Sequence, residues 1–116
     1  MAIGVDIEDI SRFEDKSQEF LDRIYTKSEQ EYCLSKPNPA SHFAVRFCAK
    51  EALIKALNSK DIAHPRLNQI EIFHWENKSP GIRILDPKYS NLTIELSLSH
   101  DKTKAIAFVT ITSLWC

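Results

Sequence analysis

The sequence predicts an α+β fold: a mostly antiparallel sheet with helices packed on one face. Three observations predict the class. Apolar residues recur at helical spacing through the first half of the chain, they alternate with period two from residue 68 onward, and the links between the alternating runs are short. Consecutive strands with short links pair antiparallel, and helices segregated from strands mark the α+β class. A chain of 116 residues, 43% hydrophobic and 27% charged, can bury a core without staples, so residues 1–116 are read as one domain.

The elements follow in order. Ala2 to Glu8 alternates around Ile3, Val5 and Ile7 and reads as a strand, with Asp6 on the opposite face from those three. Phe13, Phe20 and Ile24 recur at helical spacing, which predicts a helix over 11–25. Thr26-Lys27-Ser28-Glu29 matches a capping box and opens a second helix running to Leu34. Asn38-Pro39 offers an N-cap followed by proline at the first helical position, so a third helix runs from Pro39 to about Leu57, with Asn58-Ser59 as its exit. Strands are expected over 70–73, 82–85, 92–98 and 105–112, with Ser79-Pro80-Gly81 as a turn and at most one helical turn within 86–91.

Bulk properties exclude several classes. No apolar run approaches bilayer length, and the start of the chain lacks a basic n-region, so neither a membrane span nor a signal peptide is expected. Cys33, Cys48 and Cys116 show no Cys-x-x-Cys spacing, which points to a reducing cytoplasm rather than a zinc knuckle or disulfide framework. The net charge of −1 gives no footprint for nucleic acid. Its distribution is uneven: residues 1–31 hold nine acids against four bases. Within 46–60, by contrast, Arg46, Lys50, Lys55 and Lys60 face Glu51 alone. A small basic pocket beside an acidic site suits a small polyphosphate better than a long polyanion.

The third helix concentrates the chemistry. At about 100° per residue, Val45, Ala49, Ala52, Leu53, Ala56 and Leu57 form one apolar face, and Phe43, Phe47 and Ile54 a second. Between them lie Arg46 with Lys50, and Glu51 with Lys55, flanked by small Ala44 and Cys48. A helix apolar on two sides is central or lies at a subunit interface. Glu51 and Lys55 have the spacing of an ordinary helical ion pair. With Asp6 as a second carboxylate they also suit Mg²⁺ and a diphosphate, because magnesium takes few protein oxygens and lysine offsets phosphate charge. The residues alone leave both readings open. Ser97-Leu98-Ser99-His100-Asp101 ends a strand with hydroxyls and a histidine, either a surface turn or a phosphate donor. His42, His64 and His74 lack metal-ligand spacing with it and are read as structural or surface groups.

Gly4-Val5-Asp6-Ile7 with Arg12, then Arg46-Phe47-Cys48-Ala49-Lys50-Glu51-Ala52-Leu53-Ile54-Lys55-Ala56, then Ser97-Leu98-Ser99-His100, resembles the holo-[acyl-carrier-protein] synthase family of small 4'-phosphopantetheinyl transferases over nearly the whole chain. The resemblance implies transfer of the phosphopantetheine arm of coenzyme A to a serine of apo acyl carrier protein, releasing adenosine 3',5'-bisphosphate, in support of fatty acid biosynthesis. It implies Mg²⁺ on Asp6 and Glu51, Glu51 helping to deprotonate the serine, and Lys55 stabilising charge on the diphosphate or leaving group. Arg46, Lys50, Lys55, Ser59 and His100 would bind coenzyme A. It further implies a homotrimer with sites between subunits, so that His100 and Asp6 come from different chains.

If 11–24 is one helix, Arg12, Lys16 and Arg23 share a strip beside Phe13, Phe20 and Ile24, a docking face for an acidic carrier; Glu19–Arg23 also fits a plain surface pair. The chain departs from the family after the third helix. Asn58-Ser59-Lys60-Asp61-Ile62 stands where a Gly-Thr-Gly-Ile turn is usual, and Ser59 and Lys60 would substitute at the phosphate. That turn motivates an alternative, a non-catalytic module of the same fold that binds coenzyme A or a carrier protein. Binding without transfer would distinguish it.

Overall fold

The structure, a computed structural model, describes residues 1–112. Five strands and three α-helices are arranged as α+β, as the periodicity predicts: β1 (Ala2–Asp9), α1 (Gln18–Ile24), α2 (Lys27–Leu34), α3 (Pro39–Asn58), β2 (Ile70–His74), β3 (Pro80–Ile84), β4 (Ile94–His100) and β5 (Lys104–Ile111). Pairing is antiparallel throughout, but the strands divide into two sheets rather than one. β1, β5 and β4 form a three-stranded sheet in that order, and β2–β3 is a separate hairpin.

The short-range signals explain most of the elements. Ser17 caps α1 by accepting from the Phe20 amide, and the Thr26–Glu29 capping box is complete in both directions. Pro39 occupies the first turn of α3. A single 3-10 turn, Pro87–Tyr89, fills the link before β4.

The expected helix over 11–25 is broken. A 3-10 turn covers Ile10–Phe13, Asp15 takes a left-handed φ of 52°, and α1 starts only after Ser17. Phe13 and Phe20 still meet, with ring centroids 6.4 Å apart, so the hydrophobic spacing survives the break.

α3 is the central helix of the chain. Its Ala44, Cys48, Ala49, Ala52, Leu53, Ala56 and Leu57 are completely buried, against Ala105, Ala107, Val109 and Ile111 of β5 among others. Against it β1 turns Ala2 and Gly4 inward and leaves Ile3, Val5 and Ile7 exposed, the reverse of a hydrophobic-in strand. Gly4 shows why: a Cβ there would stand 1.9 Å from the Ala52 carbonyl oxygen, so helix and strand meet backbone to backbone. The inward alternation continues through Asp6 and Glu8, which are half-buried. Cys33 and Cys48 are buried free thiols, each pushed up to about 12 chiefly by burial; Cys116 lies outside the described residues.

Candidate active site

Asp6 on β1 and Lys55 on α3 meet across the helix–strand contact. Lys55 Nζ lies 3.2 Å from Asp6 Oδ1 and donates to the Val5 carbonyl at 3.0 Å. The lysine therefore pairs with the strand carboxylate; its described ion pair is not the i, i+4 pair with Glu51 that the spacing also allowed. Asp6 is 10% exposed, and its Oδ2 is buried with no hydrogen-bond partner. Glu51 is half-buried beside it: burial first, then the Asp6 charge, raises its carboxyl above the usual range, while Lys55 opposes.

Glu8 completes this acidic corner, and sequence reasoning missed it. Its carboxyl is pushed up to about 7, by burial above all and then by Asp6, with Arg12 pulling the other way. The signal was present, since period-two alternation sets Glu8 on the face of Asp6. Among the described residues no group of three or more His, Cys, Asp or Glu side chains is assembled around one metal position. What the corner offers is three neighbouring carboxylates, Asp6, Glu8 and Glu51, an orphaned buried oxygen on Asp6 and one lysine.

Lys50 corrects an expectation. Its ammonium is completely buried, 2.6 Å from Glu29 Oε1, 2.6 Å from the Ile24 carbonyl and 3.0 Å from that of Leu67. All three donors are spent on protein, so Lys50 is not available to coenzyme A. Burial lowers its pKa, and Glu29 works against that. Glu29 in turn accepts from the Thr26 and Ile72 amides, so its two oxygens tie together α2, α3 and β2.

Arg46 lies more than a turn before Glu51. It is buried, stacks over Tyr32 at 4.4 Å, donates to the His42 carbonyl at 3.2 Å, and keeps a buried Nε without a partner. His100 is exposed at the end of β4, two strands from β1, and lies near enough to His42 to help lower that imidazole's pKa, below burial and Arg46 in effect. The structure thus gathers Asp6, Glu51 and Lys55, and leaves Arg46 and His100 on a different part of the same chain.

Ser59 donates to the Ala56 carbonyl at 2.7 Å. The helix then closes through Ile62 N to the Leu57 carbonyl at 3.0 Å, with Asp61 at φ 57° taking the left-handed position where glycine is usual.

The supposed docking strip is also corrected. Because residues 14–17 are not helical, Arg12, Lys16 and Arg23 do not share one helix face. All three are exposed, but each has its own surroundings: Arg12 bonds Glu8, Lys16 lies 5.3 Å over Phe20, and Arg23 pairs with Glu19 at 3.5 Å.

A half-buried carboxylate pair with a lysine thus stands at the junction of a Gly-x-Asp strand and a Lys-Glu-x-x-x-Lys helix. Residues 2–109 match the family model described as the 4'-phosphopantetheinyl transferase superfamily, and the chain belongs to that family. Among its relatives, the holo-[acyl-carrier-protein] synthase of Chlamydia caviae is 43% identical over 112 residues, covering 90% of this chain and 91% of that one. The synthase of Chlorobaculum parvum is 38% identical over 119 residues, covering 98% and 100%. Among solved structures, the Helicobacter pylori synthase in complex with coenzyme A superposes with a TM-score of 0.78 at 31% identity, over 95% of this chain and 99% of that one. The Bacillus anthracis synthase, in complex with coenzyme A (3',5'-ADP), gives 0.78 at 27% identity over 95% and 94%.

Proposed function

We propose that this chain transfers the 4'-phosphopantetheine group of coenzyme A to a serine of apo acyl carrier protein, giving the holo carrier and adenosine 3',5'-bisphosphate. The observation that carries the reading is the junction of Asp6, Glu51 and Lys55 in a chain whose relatives are synthases of this kind. The family match over residues 2–109 supports reading the chain as one transferase domain, and we read its product as serving fatty acid biosynthesis. Two free buried thiols agree with work in the cytoplasm.

The carboxylates fit Mg²⁺. Asp6 Oδ2 is a buried acceptor in want of a partner, and two carboxylates leave most of an octahedral shell to water and phosphate, which is how magnesium is usually held. When bound, the ion would neutralise charge on the diphosphate. Glu51, held above the usual carboxylate range, is suited to accept the serine proton, directly or through a water. Lys55, exposed and anchored on Val5 and Asp6, is placed to offset charge on the phosphate that leaves.

We read the assembly as a homotrimer with sites between subunits. Ile3, Val5, Ile7, Ile106 and Phe108 stay exposed together on the outer face of β1 and β5, and His100 stands away from Asp6 in its own chain. Both are what a site completed by a neighbour would require. Arg46, Ser59 and His100 then serve coenzyme A, and Arg12 meets the acidic carrier.

The test is direct. Incubated with coenzyme A, Mg²⁺ and apo carrier, the protein should add one phosphopantetheine to the carrier by mass spectrometry, and EDTA should stop it. Asp6→Ala and Glu51→Gln should each reduce turnover by about 10²-fold or more, with circular dichroism unchanged. A carrier that gains no mass would overturn the reading in favour of the non-catalytic module.

A further inference from the structure

The turn that follows α3 has no backbone donor to offer an anion. The amides of Ser59, Lys60, Asp61 and Ile62 are all spent on carbonyls of the helix end, at 3.0 Å each: Ser59 on Lys55, Lys60 and Ile62 on Leu57, and Asp61 on Asn58. The carbonyl end of a helix also carries its negative partial charge. A phosphate brought to this end must be met by side chains. Within 58–64 the basic ones are Lys60 and His64, both exposed, and the one acid is Asp61.

His64 is tied to the face of α3 that bears the site. Glu51, Lys55 and Asn58 stand at i, i+4 and i+7, so one face runs from the carboxylate corner to the last residue of the helix. At the end of that face His64 Nδ1 lies 3.3 Å from Asn58 Oδ1. The buried Tyr89 pins the chain just before it, its hydroxyl donating to the Ala63 carbonyl at 2.6 Å. The imidazole is thereby oriented through Nδ1, and Nε2 lies outside that contact. Its charge also reaches the site: burial and then Asp6 raise the Glu51 carboxyl, and Lys55 and His64 both oppose them.

We propose that His64, oriented by Asn58, binds the diphosphate of coenzyme A and, with Lys60, does there what the free amides of a glycine turn would do. This rests on the transferase reading given above. An imidazolium donates at both nitrogens, so Nδ1 stays on Asn58 while Nε2 meets a phosphate oxygen. Lys55 offsets the diphosphate from the side of β1, and His64 with Lys60 from the far end of α3.

The experiment titrates the full chain with coenzyme A and Mg²⁺ in a calorimeter, without carrier, and records ³¹P spectra of the saturated complexes. His64→Ala should weaken coenzyme A by about 10-fold, the loss of one charge-assisted hydrogen bond. In the spectra the diphosphate resonances should move between wild type and His64→Ala while the 3'-phosphate resonance stays. Asn58→Ala should also weaken binding, and the double variant should be no weaker than His64→Ala, since Asn58 acts through the imidazole. Both side chains are exposed, so circular dichroism should be unchanged. Wild-type affinity in His64→Ala overturns the inference while the transferase reading stands. So does a loss of affinity in which only the 3'-phosphate resonance moves. Additive losses in the double variant overturn the orienting role of Asn58. A wild type that binds no coenzyme A fails the underlying reading and takes the inference with it.

Discussion

Lys50 and Glu51 are neighbours with opposite fates. Glu51 looks toward β1 and the carboxylate corner, whereas Lys50 points into the core and meets Glu29. Their sequence neighbourhood could not separate them, since a lysine one residue from a site glutamate reads as a site lysine. Glu29 was legible as a capping residue, yet its role as Lys50's counterion spans 21 positions and no local pattern carries it. Removing one member of such a pair strands the other as a buried charge, so Lys50→Met should cost about 3–5 kcal/mol in urea unfolding. Lys50→Met with Glu29→Gln should recover part of that loss, because the remaining group is then neutral and still caps. At the acidic corner, Glu8 binds its proton more tightly in the folded state, at about 7 against an ordinary 4.5. A raised carboxyl contributes stability that is complete below pH 4.5 and lost as pH rises through about 7. Metal-free protein should accordingly have a lower urea midpoint at pH 8 than at pH 5, and Glu8→Gln should shrink the difference.

At the scale of elements, α3 and the capping box of α2 were readable because caps and the 3.6-residue period are local properties. The break between Phe13 and Ser17 was not, because Phe13, Phe20 and Ile24 keep helical spacing straight across it. β1 was recognised as a strand, with Asp6 on the opposite face from Ile3, Val5 and Ile7, but which of the two faces goes inward was not legible. Alternation says which residues share a face; the small residues of α3 decide which face goes inward, and only Ala2 and Gly4 let that helix come close. Gly4→Ala follows from this. With backbone atoms on the opposing side there is little to yield, so the substitution should cost at least about 3 kcal/mol and lower the thermal midpoint, while also separating Asp6 from Glu51.

For the molecule as a whole, the apolar outer face of β1 and β5 is the feature that a single copy leaves unexplained. Light scattering should give the mass of three chains, and Phe108→Lys should reduce it to one and abolish transfer, with the secondary structure kept. The period-two signal placed these residues in strands without telling that they would be left outside, since a sequence does not say how many copies share a core. Their exposure has a consequence for the life of the chain. Assembly that covers an apolar sheet obeys mass action, so the melting temperature of the protein should climb with its concentration, and a newly made copy is least stable when it is most alone.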